Sequence, residues 1–262
     1  SGPQTIASFL PILRGVTNAA IPRGDERAAA LCLRMGRYLE NLGLYAPAQS
    51  YVERGLAIYE RLFGLEHVDS ATSLNNLGVL HLHQGDYDQA RELLEKALTV
   101  REKLFGSQHT DVAQTLTNLA NIDLAQENYA LARSRFQQAL AINERFLGVE
   151  DPLVATNLSN FAATEQNLGN HENAQALFER ALAIHQKLLG IEHPDAIASM
   201  INLASSLVEQ ENFVDAFPLY QQALAIGERV LGPTHPWTAK ILSGFATFYL
   251  QQDDVSSACL LM

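Results

Sequence analysis

Residues 67–106 read HVDSATSLNNLGVLHLHQGDYDQARELLEKALTVREKLFG, and the same pattern returns throughout the chain. In its first half Ala71, Leu74, Leu77, Gly78 and Leu82 recur at helical spacing and form one apolar stripe, which predicts a helix A. Gly85-Asp86 interrupts the pattern. Tyr87, Ala90, Leu94, Ala97, Leu98 and Leu104 then give a second stripe, helix B, which stops at Gly106. Gly106 suits a left-handed position just past a helix end, and Lys103 lies in the last turn, where a cation complements the helix dipole.

The unit repeats every 42 residues, marked by Gly64, Gly106, Gly148, Gly190 and Gly232. A fixed period of roughly 20–50 residues is the signature of a solenoid, in which each unit buries its apolar face against its neighbours. Six copies are expected, at 25–64, 67–106, 109–148, 151–190, 193–232 and 235–262, the last cut short in helix B. Residues 1–24 are expected to supply an N-terminal capping helix and linker, with Phe9, Leu10, Leu13 and Val16 as its apolar face. Pro152, Pro194 and Pro236 mark first helical positions, where a missing N–H costs nothing, and Asp151 is a suitable N-cap. Small residues recur where backbones must approach, at Gly36, Gly78, Ala120, Ala162, Ala204 and Ala246 in helix A. Ala48, Ala90, Ala132, Ala174, Ala216 and Ala258 do the same in helix B.

Composition narrows the function. With 47% hydrophobic and 18% charged residues the chain has the make-up of a soluble folded protein, and no apolar run reaches the roughly 20 residues that span a bilayer. A net charge of −11 disfavours nucleic acid and anionic membranes and points to a neutral or mildly basic protein partner. Cys32 and Cys259 lie outside any C-x-x-C pattern, so neither a disulfide framework nor a zinc site is indicated and a cytoplasmic location fits; Cys32 reads as a small core residue. The chain opens with Ser1-Gly2-Pro3, carries no signal-peptide pattern, and is expected to be a piece of a longer protein.

Paired helices with Leu-Gly or Leu-Ala in the first and a recurring Ala in the second resemble tetratricopeptide repeats. The 42-residue period exceeds the usual one of about 34. The strings SLNNLGVLHLHQGDYDQARELLEKALTVREKLFG at 73–106 and LGIEHPDAIASMINLA at 189–204 resemble the kinesin-light-chain type of repeat, and similar arrays form the C-terminal sensor part of signalling NTPases. The resemblance implies an all-α solenoid of antiparallel helix pairs, wound into a right-handed superhelix and binding peptides on the concave face made by helix A. It also implies non-catalytic recognition, as an adaptor or, alternatively, as the sensing arm of a larger NTPase. The chain departs from the pattern where the usual helix-A Tyr becomes His81, Asp123, Glu165 and Leu207, and where the turn Gly becomes Glu127 and Glu211.

On the helix-A face opposite the apolar stripe, Asn76 returns as Asn118, Asn160 and Asn202. Asn is a poorer helix former than Ala by roughly 0.6 kcal/mol, so a face chosen only for solvation would favour Glu, Lys or Gln. An amide offers both a donor and an acceptor, as a peptide main chain requires, although a hydrogen-bond ladder between neighbouring A helices would use the same residues. Around this register the expected groove holds Thr72, His83, Gln114, Asn121, Thr156 and Asn167, with Arg34 and Arg37 near one end and Lys240 near the other.

No constellation for catalysis, metal or cofactor stands out. His67, His109, His193 and His235 occupy equivalent positions a full repeat apart and serve the start of helix A. The mixed charges of Arg101-Glu102-Lys103 and Asn143-Glu144-Arg145 read as solvated helix-B ends. The apolar ending Leu260-Leu261-Met262 raises the expectation of end-to-end self-association.

Overall fold

The computed structural model describes residues 10–230, 232 and 236–252, and among them every regular element is helical. A helix α1 (Leu10–Ala20) leads through a 3₁₀ turn (Ile21–Arg23) into α2 (Glu26–Asn41) and α3 (Tyr45–Phe63). The series continues with α4 (Val68–His83), α5 (Tyr87–Phe105), α6 (Thr110–Ala125) and α7 (Tyr129–Leu147). It ends with α8 (Pro152–Asn167), α9 (His171–Leu189), α10 (Pro194–Glu209), α11 (Phe213–Val230) and α12 (Pro236–Gln251). Contacts divide the chain into two compact units, residues 1–126 and 127–262.

Within the first unit each helix packs on the next from α2 to α6, and the A helices α2, α4 and α6 also touch in succession. In the second unit the chain of contacts runs from α7 to α12, with α8 on α10 and α10 on α12. The small residues carry this packing. Helix-A Ala120, Ala162 and Ala204 and helix-B Ala48, Ala90, Ala132, Ala174 and Ala216 are all fully buried. A Cβ added to Gly78 would stand 2.6 Å from Leu94 Cγ, too close for carbon atoms. Where helix A carries Ala instead, at 120, 162 and 204, the residue 16 positions on is the flat ring of Phe136, Phe178 or Tyr220 in place of Leu94. Cys32 is fully buried, as its position in the stripe predicts.

Helix starts follow their sequence signals. Asp151 Oδ1 accepts from Leu153 N–H at 2.8 Å, with Pro152 next to it as the first helical residue. The Nδ1 atoms of His67, His109 and His193 accept from the N–H groups of Asp69, Asp111 and Asp195 at 3.3, 3.1 and 3.2 Å. These imidazoles therefore cap helices, and His235 lies outside the described residues.

Four expectations are corrected. Gly106 has φ 80° and ψ 162°, so it takes an extended mirror-image conformation open only to glycine, not the left-handed helical one. Left-handed positions occur at Gly24 and in the turns between A and B, where Glu127 (φ 61°) and Glu211 (φ 58°) carry a Cβ at a cost of about 1–2 kcal/mol each. On α1 the buried residues are Thr17 and Ala20, while Leu13 and Val16 are 42% and 55% exposed, so the helix is rotated from its expected face. Phe9 lies outside the described residues. The helix-B ends are not simply solvated, because Arg101 and Asn143 are buried. The apolar stripe of α5 runs through Arg101 while Leu104 is exposed, since the helix-B end packs a polar residue against the following helix A.

Candidate functional site

In the first unit the expected groove residues come from three touching A helices. Arg34 and Arg37 are exposed on α2, Thr72, Asn76 and His83 lie on α4, and Gln114, Asn118 and Asn121 lie on α6. Asn76, Asn118 and Asn121 are half-buried. The link between the A helices does not run along the asparagine register itself: Asn118 Nδ2 donates to Oδ1 of Asn75, the buried neighbour of Asn76, at 3.2 Å. Thr72 returns its hydroxyl to Val68 O within its own helix. His83 stacks on Tyr45 at 5.1 Å and lies 3.4 Å from Glu40, so it is held at the edge of the face.

Below this face lies a polar knot that the sequence did not reveal. Arg101, 2% exposed, directs Nη1 to Asp111 O and Thr115 Oγ1, both at 2.7 Å, to Gln114 Oε1 at 3.2 Å and to Asn75 Oδ1 at 3.4 Å. Asn75 thus accepts from Arg101, Thr115 and Asn118, and fixes Asn118 from behind. Burial pulls the Arg101 pKa below the ordinary arginine value, with the Asp111 carboxylate opposing. Nearby, Arg91 pairs at 2.8 Å with Asp123, whose side chain has no exposed surface, and also donates to Gln126 at 2.8 Å.

In the second unit Thr156, Asn160 and Asn167 lie on α8, Asn202 on α10 and Lys240 on α12. Asn160 and Asn202 are half-buried, and Thr156, Asn167 and Lys240 are exposed. Thr156 and Asn167 bond back to Pro152 O and Ala163 O of their own helix. Among the described residues Asn76 and Asn202 spend no side-chain hydrogen bond inside the protein. Arg133 pairs with the wholly buried Glu165 at 2.7 Å, 32 residues apart as Arg91 and Asp123 are. Asp123 and Glu165 occupy the helix-A position where Tyr was expected, and an arginine at that fixed spacing was the signal that could have found both pairs.

His185 makes the corresponding buried link in this unit, Nδ1 to Ser199 Oγ at 2.8 Å. Burial lowers its pKa below the ordinary histidine value of 6.5, with Asp195 opposing that shift and His193 adding to it. The unfolded chain therefore takes up the proton first as pH falls through 6.5. Stability should be insensitive to this group above that pH and decline below it, by at most about 1.4 kcal/mol for each pH unit. Subtracting the denaturation profile of His185→Gln from that of the parent between pH 7.5 and 5 should expose this decline; parallel profiles would show that the imidazole is not coupled to folding.

Among the described residues no group of His, Cys, Asp or Glu could hold a metal ion, and no helix is long and apolar enough to cross a membrane. The tetratricopeptide repeat model matches residues 26–103, 69–145, 153–226 and 197–258. The chain belongs to the tetratricopeptide repeat family. Among solved structures, the kinesin-light-chain TPR-like repeats of Podosopora anserina are 25% identical, with a TM-score of 0.65, covering 79% of this chain and 97% of that one. BtubC (BKLC) of P. vanneervenii is 21% identical, with a TM-score of 0.68 and coverage of 89% and 92%. A Rap protein complexed with competence and sporulation factor is 14% identical, with a TM-score of 0.67 and coverage of 89% and 72%. No curated protein matches the chain by sequence. The kinesin-light-chain-like repeat solenoid expected from the 42-residue period is thus shown, and the repeats support a protein-interaction scaffold.

Proposed function

We propose that this TPR protein is a non-catalytic recognition module whose helix-A faces bind an extended, neutral or mildly basic segment of a protein partner. The observation that carries this reading is the asparagine register. Asn76 and Asn202 are half-buried on helix-A faces and keep both amide groups unspent, so each can pair with the N–H and the C=O of a bound main chain. Asn118, held from behind by Asn75, offers an aligned amide beside Asn76 in the first unit, and Asn160 occupies the same register in the second. Thr72, Gln114 and Thr156 surround these positions without charge, while Arg34, Arg37 and Lys240 lie on the first and last A helices. The net charge of −11 favours a partner that is not acidic, and nucleic acid and anionic membranes are poor partners for the same reason.

The cleanest test uses the two asparagines with no internal bond. An Asn76→Ala/Asn202→Ala variant should melt as the parent does and bind a cognate partner peptide about tenfold more weakly, the loss expected of one or two hydrogen bonds. Retained affinity in a folded variant would move the site off these faces. Asn118→Ala is a poorer probe, because it also removes a bond to buried Asn75.

A further inference from the structure

A cleft of ≈ 330 Å³ opens between α1 and α3 in the first unit, lined by Arg14, Asn18, Pro47, Ser50, Tyr51 and Arg54. Helical spacing puts 14 and 18 on one face of α1, and 47, 50, 51 and 54 on one face of α3. Two of these residues are arginines and none is acidic. Arg54 is exposed and stands over the Tyr51 ring, its Cζ 5.9 Å from the centroid, with no hydrogen bond or ion pair among the described residues. Arg14 is half-buried, its buried Nε has no partner inside the protein, and it makes no ion pair among the described residues. Asn18 Oδ1 accepts from the Tyr51 hydroxyl at 3.0 Å, which turns the amide oxygen inward and leaves both N–H donors. Ser50 is exposed and adds a rotatable hydroxyl. Glu53, next to Arg54 in sequence, is outside the lining and accepts from Gln49 Nε2 at 2.9 Å. Pro47 lies in the first turn of α3, the positive end of that helix, and Asn18 in the last turn of α1, the negative end of its own, so the helix dipoles oppose each other. The two guanidiniums therefore set the sign of the cleft.

We infer that this cleft binds a phosphate group, carried by a protein side chain or by a small metabolite. A phosphomonoester has a charge of about −1.5 to −2 near pH 7 and three acceptor oxygens, which match two guanidiniums, an amide NH2 and a hydroxyl. A carboxylate brings half that charge and two oxygens, and would leave one guanidinium without a counter-charge. A cation would meet two like charges. The chain as a whole carries a net charge of −11, so long-range attraction does not draw an anion to it and binding must come from these local donors. The sequence marks the place, since residues 1–24 contain Arg14 and Arg23 and no acidic residue. The cleft uses no residue of the helix-A faces, and the inference stands apart from the proposed peptide recognition.

The test is an NMR titration of the full chain at low salt with inorganic phosphate and with the N-acetyl methylamides of phosphoserine, aspartate and serine. The signals followed are the Nε–H groups of Arg14 and Arg54 and the side-chain NH2 of Asn18. Both phosphates should shift these signals saturably, aspartate should bind more weakly and serine should not bind. Arg54→Gln should weaken phosphate by about fivefold, and Arg54 is exposed, so this variant should retain the fold. Lys96→Gln makes the same change in net charge at an exposed lysine of α5, outside the lining, and should leave binding unchanged. No saturable response to either phosphate, aspartate or serine binding as tightly as phosphoserine, or equal losses in Arg54→Gln and Lys96→Gln would each overturn the inference. Phosphoserine binding more tightly than inorganic phosphate would assign the group to a protein side chain, and the reverse order would assign it to a small phosphate.

Discussion

Replacing Arg133, whose side chain is half exposed, by methionine should destabilise the second unit by about 1–3 kcal/mol, the cost of leaving the wholly buried Glu165 carboxylate without this partner. Glu165 would keep its bonds from Asn170 and Asn173 but lose its countercharge while remaining without exposed surface. Removing both partners should behave differently. Arg133→Met/Glu165→Leu should unfold within about 1 kcal/mol of the parent, since the buried carboxylate that needs a countercharge is then gone and an apolar residue fills its place. The chain contains its own precedent, because Leu39 and Leu207 fill the same helix-A register and are both buried. Chemical denaturation followed by far-UV circular dichroism across the four-member cycle measures the coupling. A single variant as stable as the parent would mean that Arg133 contributes nothing to holding the Glu165 carboxylate.

The register of Glu165 also shows why some features were legible in the sequence and others were not. Period, helix pairing and the alanine contacts are backbone properties repeated in every copy, so each copy reinforces the reading. His67, His109 and His193 likewise announce one helix-capping role three times. The polar joints are individual. At the register of Arg101 the chain places Tyr59, Asn143, His185 and Gly227, and each joint is solved differently. Burial pushes the Tyr59 pKa up to about 12, with Asp69 and Glu26 adding to the shift. His185 reaches Ser199, whereas a Cβ on Gly227 would come within 2.8 Å of Ile241. Charged residues near a helix end read by composition as a solvated face; only the partner on the next helix shows that Arg101 points inward. The same limit applies to the asparagine register. Its periodicity is visible at once, but the use of Asn118 as a donor to Asn75 depends on the neighbouring helix.

Arg101 joins the stability of the first unit to the geometry of its helix-A face, and Arg101→Met should lower the stability of that unit by about 3 kcal/mol. One buried nitrogen serves Asp111 O, Thr115 Oγ1, Gln114 Oε1 and Asn75 Oδ1. Hydrogen bonds from a charged donor contribute about 1.5–3 kcal/mol, and buried acceptors left without a donor retain their desolvation cost. Methionine fills much of the space but supplies no donor. Asp111 O and Asn75 Oδ1 would be left with one Thr115 hydroxyl proton between them, at 3.0 and 3.3 Å, and Asn75 would also keep the bond from Asn118. Arg101→Lys preserves the charge on a shorter, rounder head and should lose less, about 1–2 kcal/mol, because a lysine cannot reproduce the spread of guanidinium contacts. Amide hydrogen exchange in α5 and α6 should quicken in the order parent, Lys, Met. If the proposed recognition runs through these faces, Arg101→Met should also weaken a peptide held at Asn118, although Arg101 itself is 2% exposed and cannot touch the ligand directly. Equal exchange in the parent and the methionine variant would show that the knot is dispensable and that Asn75 and Asn118 are aligned by helix packing alone.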